Sequence, residues 1–199
     1  MSYKSRIIVG VDEAGRGPLA GPVSVGVFGA EKKMEKWLLK NIFDNKLRDS
    51  KKLSSAARYT IYRKLLELKK EKKVFFIVTH VSNKVIDKKG ISFAVRSAIH
   101  IKHRVSDIDE VRLDGLLKAP KEFKNQKTII KGDEKDIFIA CASIVAKVSR
   151  DALMVRLSKK YPKYRFDLHK GYGTLLHRKL IRKYGLSPIH RYSFCSRLL

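Results

Sequence analysis

Val9-Gly10-Val11-Asp12-Glu13-Ala14-Gly15-Arg16-Gly17-Pro18-Leu19-Ala20-Gly21-Pro22-Val23 is the stretch on which the reading of this chain turns. Ile7 to Val11 is an apolar, β-branched run of strand length, and it delivers two adjacent carboxylates at its end. Carboxylates carried into a core need a cationic partner, because an unpaired buried charge is costly. The glycines that follow let backbone approach a ligand closely. The pattern predicts a metal site beside a phosphate-binding loop. Neighbouring strand residues point to opposite faces, so Asp12 and Glu13 can share one site if the strand bends or stops at Glu13; otherwise Glu13 contributes only its carbonyl or reaches a single ion.

Two further acids occupy similar positions. Asp114 ends Val111-Arg112-Leu113 and precedes Gly115, and Asp133 follows Ile129-Ile130-Lys131-Gly132. A lone aspartate at a strand end is commonly a turn former or helix cap, and Asp133 can be read as the cap of the helix after it. Convergence of Asp12, Glu13, Asp114 and Asp133 on one sheet edge is the sharper expectation. Oxygen donors without His or Cys partners favour Mg²⁺ or Mn²⁺. Two such ions suit phosphodiester hydrolysis.

Forty-five Lys and Arg stand against 19 Asp and Glu, a net charge of +26. That excess favours a polyanion, most simply nucleic acid. No apolar run approaches the ~18 residues of a membrane span, and no basic amphipathic helix with an aromatic face suggests a membrane surface. Met1 to Arg6 leads directly into the first strand, so no signal peptide is expected. Cys141 and Cys195 lack metal-type spacing and read as two reduced thiols of a cytoplasmic protein. No Gly-x-x-x-x-Gly-Lys-Ser/Thr follows a strand, which excludes a P-loop nucleotidase.

Periodicity predicts strands over Arg6–Asp12, Pro22–Phe28, Val74–Val81, Glu110–Asp114 and Lys127–Lys131. Helices are predicted over Glu31–Phe43 (Trp37, Leu38 and Ile42 on one side), from a Ser54 or Ser55 cap to about Lys72, and over Ile91–Val105, Ile137–Leu157 and Gly173–Tyr184. Ala140, Ala142, Ser143 and Ala146 would let the Ile137 helix pack closely on a sheet. The order β-β-α-β-α-β-β-α-α implies an α/β fold, a mixed sheet covered by helices.

At this point the residues resemble the type 2 ribonuclease H family, bacterial ribonuclease HII. Asp12 to Val23 is similar to its opening motif, and Asp49-Ser50-Lys51-Lys52-Leu53-Ser54 to its Asp-Ser-Lys segment. Asp114-Gly115, Lys131-Gly132-Asp133, Ile139 to Val148 with Arg150-Asp151, His169-Lys170-Gly171-Tyr172-Gly173-Thr174 and His190-Arg191-Tyr192-Ser193-Phe194 resemble its later motifs in order. Gly90, Cys141 and Tyr192 depart from it, standing where asparagine, alanine and a basic residue are usual.

The resemblance implies a ribonuclease H-like fold: a five-stranded mixed sheet flanked by helices, with a small helical C-terminal part. Residues 1–160 would form the catalytic domain and 161–199 a helical segment packed on it. It implies a metal-dependent endonuclease that hydrolyses the RNA strand of RNA–DNA hybrids and incises at ribonucleotides embedded in duplex DNA, leaving 5′-phosphate and 3′-hydroxyl ends, in DNA replication and repair. Asp12, Glu13, Asp114 and Asp133 would hold two Mg²⁺ or Mn²⁺ ions. Gly15, Arg16 and Gly17 would meet the 2′-hydroxyl and phosphates, Ser50, Lys51 and Lys170 the substrate backbone, and Tyr172 the sugar at the DNA–RNA junction. A monomer is expected. Ribonuclease HIII, which usually carries an extra N-terminal domain and lacks Gly-Arg-Gly, fits less well, since the motif begins at Asp12. The alternative from another class is a non-catalytic basic nucleic-acid-binding module.

Several residues keep two readings. Arg16 pairs with a phosphate or bridges to Glu13. Ser50 and Lys51 touch phosphate or sit in a solvated loop. Tyr172 meets substrate or is an ordinary half-buried tyrosine. Arg178, Lys179, Arg182 and Lys183 track a DNA backbone or form a solvated face. His169, His177 and His190 read as structural, for want of ligand spacing beside an acid.

Overall fold

The computed structural model describes residues 6–47, 53–99, 101, 107–115 and 117–196. Asp49, Ser50 and Lys51 therefore lie outside the described residues. β1 (Ile7–Ala14) and β2 (Val23–Glu31) form a hairpin around the glycine loop. α1 (Met34–Phe43) and α2 (Ser55–Lys70) lead to β3 (Val74–Val81), then α3 (Asn83–Lys89), α4 (Ile91–Ser97), β4 (Ile108–Asp114), β5 (Gln126–Ile129) and the long α5 (Ile137–Lys160). α6 (Phe166–His169), α7 (Leu175–Tyr184) and α8 (Tyr192–Cys195) complete the chain. The sheet has five strands in the order β3-β2-β1-β4-β5. β1 runs antiparallel to β2 and parallel to β4, so the sheet is mixed as expected.

Side-chain alternation divides β1 cleanly. Val9 and Val11 enter a core with Val25, Val27, Leu113 and the helices α3 and α4 through Ile86 and Val95. Ile8 enters the opposite core with Phe28, Leu38, Leu65 and Phe138. Gly10 lies on this second face. A Cβ there would stand 2.2 Å from the Phe138 carbonyl carbon, and one at Gly26 would stand 2.4 Å from the Ala142 carbonyl oxygen. Two glycines and the small residues of α5 thus let the helix backbone lie directly on β1 and β2.

A third cluster joins Ala20 and Met154 to Tyr164 and Phe166, with Leu180 and Ile189 against it. It seats the C-terminal helices on α5 and on the loop after β1. Among the described residues no helix is long and apolar enough to cross a membrane.

The differences from expectation have local causes. The helix predicted over Ile91–Val105 begins at Ile91 as α4 but ends at Ser97, with residues 102–105 outside the described ones, and the preceding α3, Asn83–Lys89, has no counterpart among the predicted helices because its seven residues hold too few apolar positions to show a period. Gly90 separates α3 from α4 at φ 80° and ψ 158°, a combination essentially reserved for glycine. Trp37 is 42% exposed while Leu38 and Ile42 are buried, so α1 is rotated from the predicted face. β5 stops at Ile129, and Lys131 turns the chain in the left-handed region (φ 56°). Ser54, not Ser55, caps α2, its Oγ accepting the Ala57 N–H at 3.1 Å. Asp136 is the cap of α5, accepting the Phe138 and Ile139 N–H groups, which frees Asp133 from that role.

Candidate active site

β1 pairs with β2 as far as Ala14 but with β4 only as far as Val11, opposite Leu113. The strand therefore does not stop at Glu13, contrary to the expected condition. Instead its last residues overhang the end of β4, and side chains from both faces of β1 reach the open edge. Asp12 and Asp114 are the next positions after the Val11–Leu113 pair, and alternation puts both on the face covered by α5. A cleft of about 380 Å³ opens there, and Asp12, Glu13, Asp114 and Asp133 all line it. So do Gly15, Arg16, Gly17 and Tyr172.

Each acid is differently held. Asp12 is 5% exposed, and its Oδ1 accepts the Glu13 N–H at 2.7 Å. Burial raises its pKa well above the usual carboxylate range; a hydrogen bond from Ser143 opposes this, while the charges of Glu13 and Asp114 add to it. Burial likewise raises Glu13, against the pull of Arg16. Arg16 Nη1 donates to Glu13 Oε1 at 3.2 Å, the bridging reading of that arginine, while Glu13 Oε2 is buried with no hydrogen-bond partner. Asp114 Oδ1 accepts the Gly132 N–H at 2.6 Å. Asp133 is buried in a 3₁₀ turn, Gly132–Glu134.

These acids share the cleft without closing on one point. Among the described residues no three His, Cys, Asp or Glu side chains converge closely enough to hold an ion as they stand. The electrostatics explain the spread: Glu13 leans to Arg16, Asp114 turns to a backbone N–H, and like charges separate. In chemistry the set suits a hard divalent cation. The donors are carboxylate oxygens, the buried Glu13 Oε2 is unpartnered, and ionised Asp12 is disfavoured by burial and then by the charges of Glu13 and Asp114.

Lys170 does not line the cleft. Its ammonium donates to the Asp167 carbonyl, and its own carbonyl accepts from Arg150. Tyr172 is 38% exposed, its ring 5.3 Å from Lys147 Nζ and 5.6 Å from the Arg150 guanidinium. The histidines are structural: His169 stacks on His177 at 4.2 Å, and His177 meets His190 in the interior. Cys141 is fully buried, and burial pushes its thiol well up.

Arg58, Ser143 and Lys147 also line the cleft; sequence assigned none of them to the site, naming Ser143 only for close packing on the sheet. Ala140, Ser143 and Lys147 follow helical spacing along one side of α5, so that side, followed from Asp133, carried the missing signal. Arg58, in the second turn of α2, had no signal of its own.

The family model described as Ribonuclease HII matches residues 9–197. The chain belongs to the ribonuclease HII family. It is a nuclease of the ribonuclease H type, an endonuclease. The ribonuclease HII of Caldicellulosiruptor bescii is 44% identical over 98% of this chain and 89% of its own. The ribonuclease H2 from Pyrococcus horikoshii OT3 shares the fold with a TM-score of 0.68 at 24% identity, over 96% of each chain. A ribonuclease HIII solved in complex with Mn²⁺ superposes with a TM-score of 0.64 at 19% identity, over 92% of this chain and 64% of that one. The five-stranded ribonuclease H-like sheet expected from ribonuclease HII membership is the one observed.

Proposed function

We propose that this ribonuclease hydrolyses the RNA strand of RNA–DNA hybrids and incises at single ribonucleotides embedded in duplex DNA, leaving 5′-phosphate and 3′-hydroxyl ends. Asp12, Glu13, Asp114 and Asp133 would hold two divalent cations, Mg²⁺ or Mn²⁺. Such ions, when bound, acidify a water and stabilise charge on the departing oxygen. The chain does the rest. Burial of Asp12 and Glu13 keeps the carboxylates poor in water and eager for a cation. The Gly15-Arg16-Gly17 backbone, which lines the cleft, would test for a 2′-hydroxyl, the group that marks a ribonucleotide in DNA. Tyr172 offers a ring to the neighbouring sugar, and Arg58 and Lys147 offer point charges to phosphates. Residues 161–199 would complete this unit rather than form a second one, as the packing of Tyr164 and Phe166 on Met154 suggests.

The reading rests on one observation above all: four acids, a glycine-arginine-glycine loop and a half-exposed tyrosine line the same cleft in a chain of net charge +26. The deciding experiment is incubation with a duplex carrying one ribonucleotide, with and without divalent cation. Cleavage is expected only with the cation. Asp12→Asn is expected to lower it at least ~10³-fold with duplex binding retained. Cation-independent cleavage, or an Asp12→Asn protein of unchanged behaviour, would sink the proposal, and the second result would favour a binding module.

A further inference from the structure

Two arginines lie behind the Gly15-Arg16-Gly17 loop, Arg150 packed against Gly15 and Arg191 bonded to the loop itself. Arg150 and Arg191 are both fully buried. Neither makes an ion pair among the described residues; backbone carbonyls surround each guanidinium instead. A buried cation without an anion is costly, so so many converging carbonyls are a feature to be explained. Arg191 spends its whole fork on one loop. Nε donates to Gly21 O at 2.9 Å, Nη1 to Arg16 O at 2.9 Å and Nη2 to Gly15 O at 2.7 Å. Its own N–H donates to Leu19 O at 2.7 Å. Burial, with the nearby charge of Arg150, lowers the guanidinium to about 9, which leaves it a cation at neutral pH.

The consequence is geometric. In a trans peptide the C=O and the following N–H point in opposite directions, and there are no cis bonds in the described chain. With the Gly15 and Arg16 carbonyls aimed at Arg191, the N–H groups of Arg16 and Gly17 aim away from it. Both residues line the cleft and Arg191 does not. Neither N–H has a hydrogen-bond partner among the described residues. Successive free N–H groups backed by fixed positive charge form a concavity suited to an electron-rich oxygen.

Arg191 is itself anchored from α3. Asp87 accepts the Tyr192 N–H at 3.1 Å and the Ser193 N–H at 3.0 Å, and Asn83 Nδ2 donates to His190 O at 2.9 Å. A line of contacts therefore runs from α3 through residues 188–193 to the loop.

We infer that Arg191 is a positioning residue, which fixes the Gly15–Arg16 and Arg16–Gly17 peptide planes so that the Arg16 and Gly17 N–H groups donate to the 2′-oxygen and adjoining phosphate of the ribonucleotide. This rests on the proposed function.

The test compares affinities for two duplexes that differ only in one ribonucleotide against the matching deoxynucleotide, measured without divalent cation so that neither is cut. Wild type is expected to prefer the ribonucleotide. Arg191→Lys keeps the charge but loses the planar fork; it is expected to lose about tenfold of that preference, with all-DNA affinity within about twofold. Asp87→Asn, at a partly exposed site on α3, is expected to shift the ratio the same way by about threefold at unchanged melting temperature. If Arg191→Lys does not fold, Asp87→Asn decides, and an unchanged ratio overturns the inference. A folded Arg191→Lys that keeps the wild-type ratio also overturns it, as does one that weakens both duplexes equally, the mark of a purely structural role. A wild type with no preference for the ribonucleotide would remove the functional reading first, and this role with it.

Discussion

The Asp114 carboxylate accepts a 2.6 Å hydrogen bond from the N–H of Gly132, and this bond ties the end of β4 to the turn that presents Asp133. Two acids that are 19 positions apart in sequence thereby hold a common geometry. Gly132 is tightly enclosed. A Cβ there would stand 2.5 Å from Ile139 Cδ1 and 3.3 Å from Asp114 Oδ1. The first contact can relax, since Cδ1 is the end of a flexible side chain; the second presses on the acid itself. Gly132→Ala is therefore expected to cost only about 1 kcal/mol of stability but to lower kcat/KM for a hybrid substrate by roughly tenfold or more. Thermal unfolding and steady-state cleavage measured together check this. Full activity in a folded variant would contradict it.

Asp12 sets function against stability. Its ionised form is disfavoured by burial, then by the neighbouring charges of Glu13 and Asp114. The sign follows from linkage. An acid whose folded pKa is raised stabilises the fold most below the ordinary carboxylate pKa, and that contribution is lost as pH rises through the folded value. At neutral pH the buried Asp12 carboxyl is thus a burden on the cation-free protein. Asp12→Asn is expected to raise stability without divalent ions by about 1 kcal/mol, or roughly 2–4 °C in melting temperature. Adding Mn²⁺ should then stabilise wild type more than the variant. A variant that melts below wild type in chelator would refute the point.

The buried histidines give the fold an acid limit. His190 Nδ1 accepts the Ser187 N–H at 2.8 Å, which assigns its ring hydrogen to Nε2 and makes that nitrogen the donor to His177 Nε2 at 3.0 Å. His177 then donates from Nδ1 to the Tyr172 carbonyl at 2.9 Å. Every partner suits neutral rings, and burial lowers both groups to about 4. A histidine lowered on folding contributes its full stability above about 6.5 and loses it as pH falls toward the folded value. Urea unfolding is expected to show a loss on the order of a few kcal/mol between pH 7 and 4.5. Ring-proton NMR should find both titrations well below 6.5; ordinary titration there would disprove the arrangement.

Arg58 borders the cleft from α2, bonded to the Leu53 carbonyl and, at 3.3 Å, to Ser55 Oγ. As a phosphate contact it would act without regard to base sequence. Arg58→Ala is expected to weaken duplex binding about 3- to 10-fold for all sequences and to reduce the slope of log affinity against log salt by about 1. An unchanged slope would assign Arg58 to capping the start of α2 alone.

The elements that define the fold were legible where local chemistry is strong. Val74–Val81 was read to the residue, and the Ile61, Leu65 and Leu68 stripe of α2 is buried as its period implied. Reading failed where local signal is weak: α3 is short and polar-faced, and only Gly90 marks its end. The same holds for the site. The four acids were visible as strand-end carboxylates in an acid-poor chain, whereas Lys147 sat inside a long apolar helix and Arg58 inside a basic one.

By itself, the sequence determined which chemistry was available: hard oxygen donors at strand ends, a flexible loop beside them and a surface attractive to polyanions, all properties of residues and their near neighbours. Only the tertiary structure decided that β1 overhangs β4, so that Asp12 and Glu13 reach one edge from opposite faces. Only it revealed that Arg150 and Arg191, from distant parts of the chain, lie behind the Gly15 loop with carbonyls in place of acids. The reason is physical. A side chain's partners across the sheet are set by register and burial over a hundred or more residues, and no local pattern encodes which backbone carbonyls a buried cation will find.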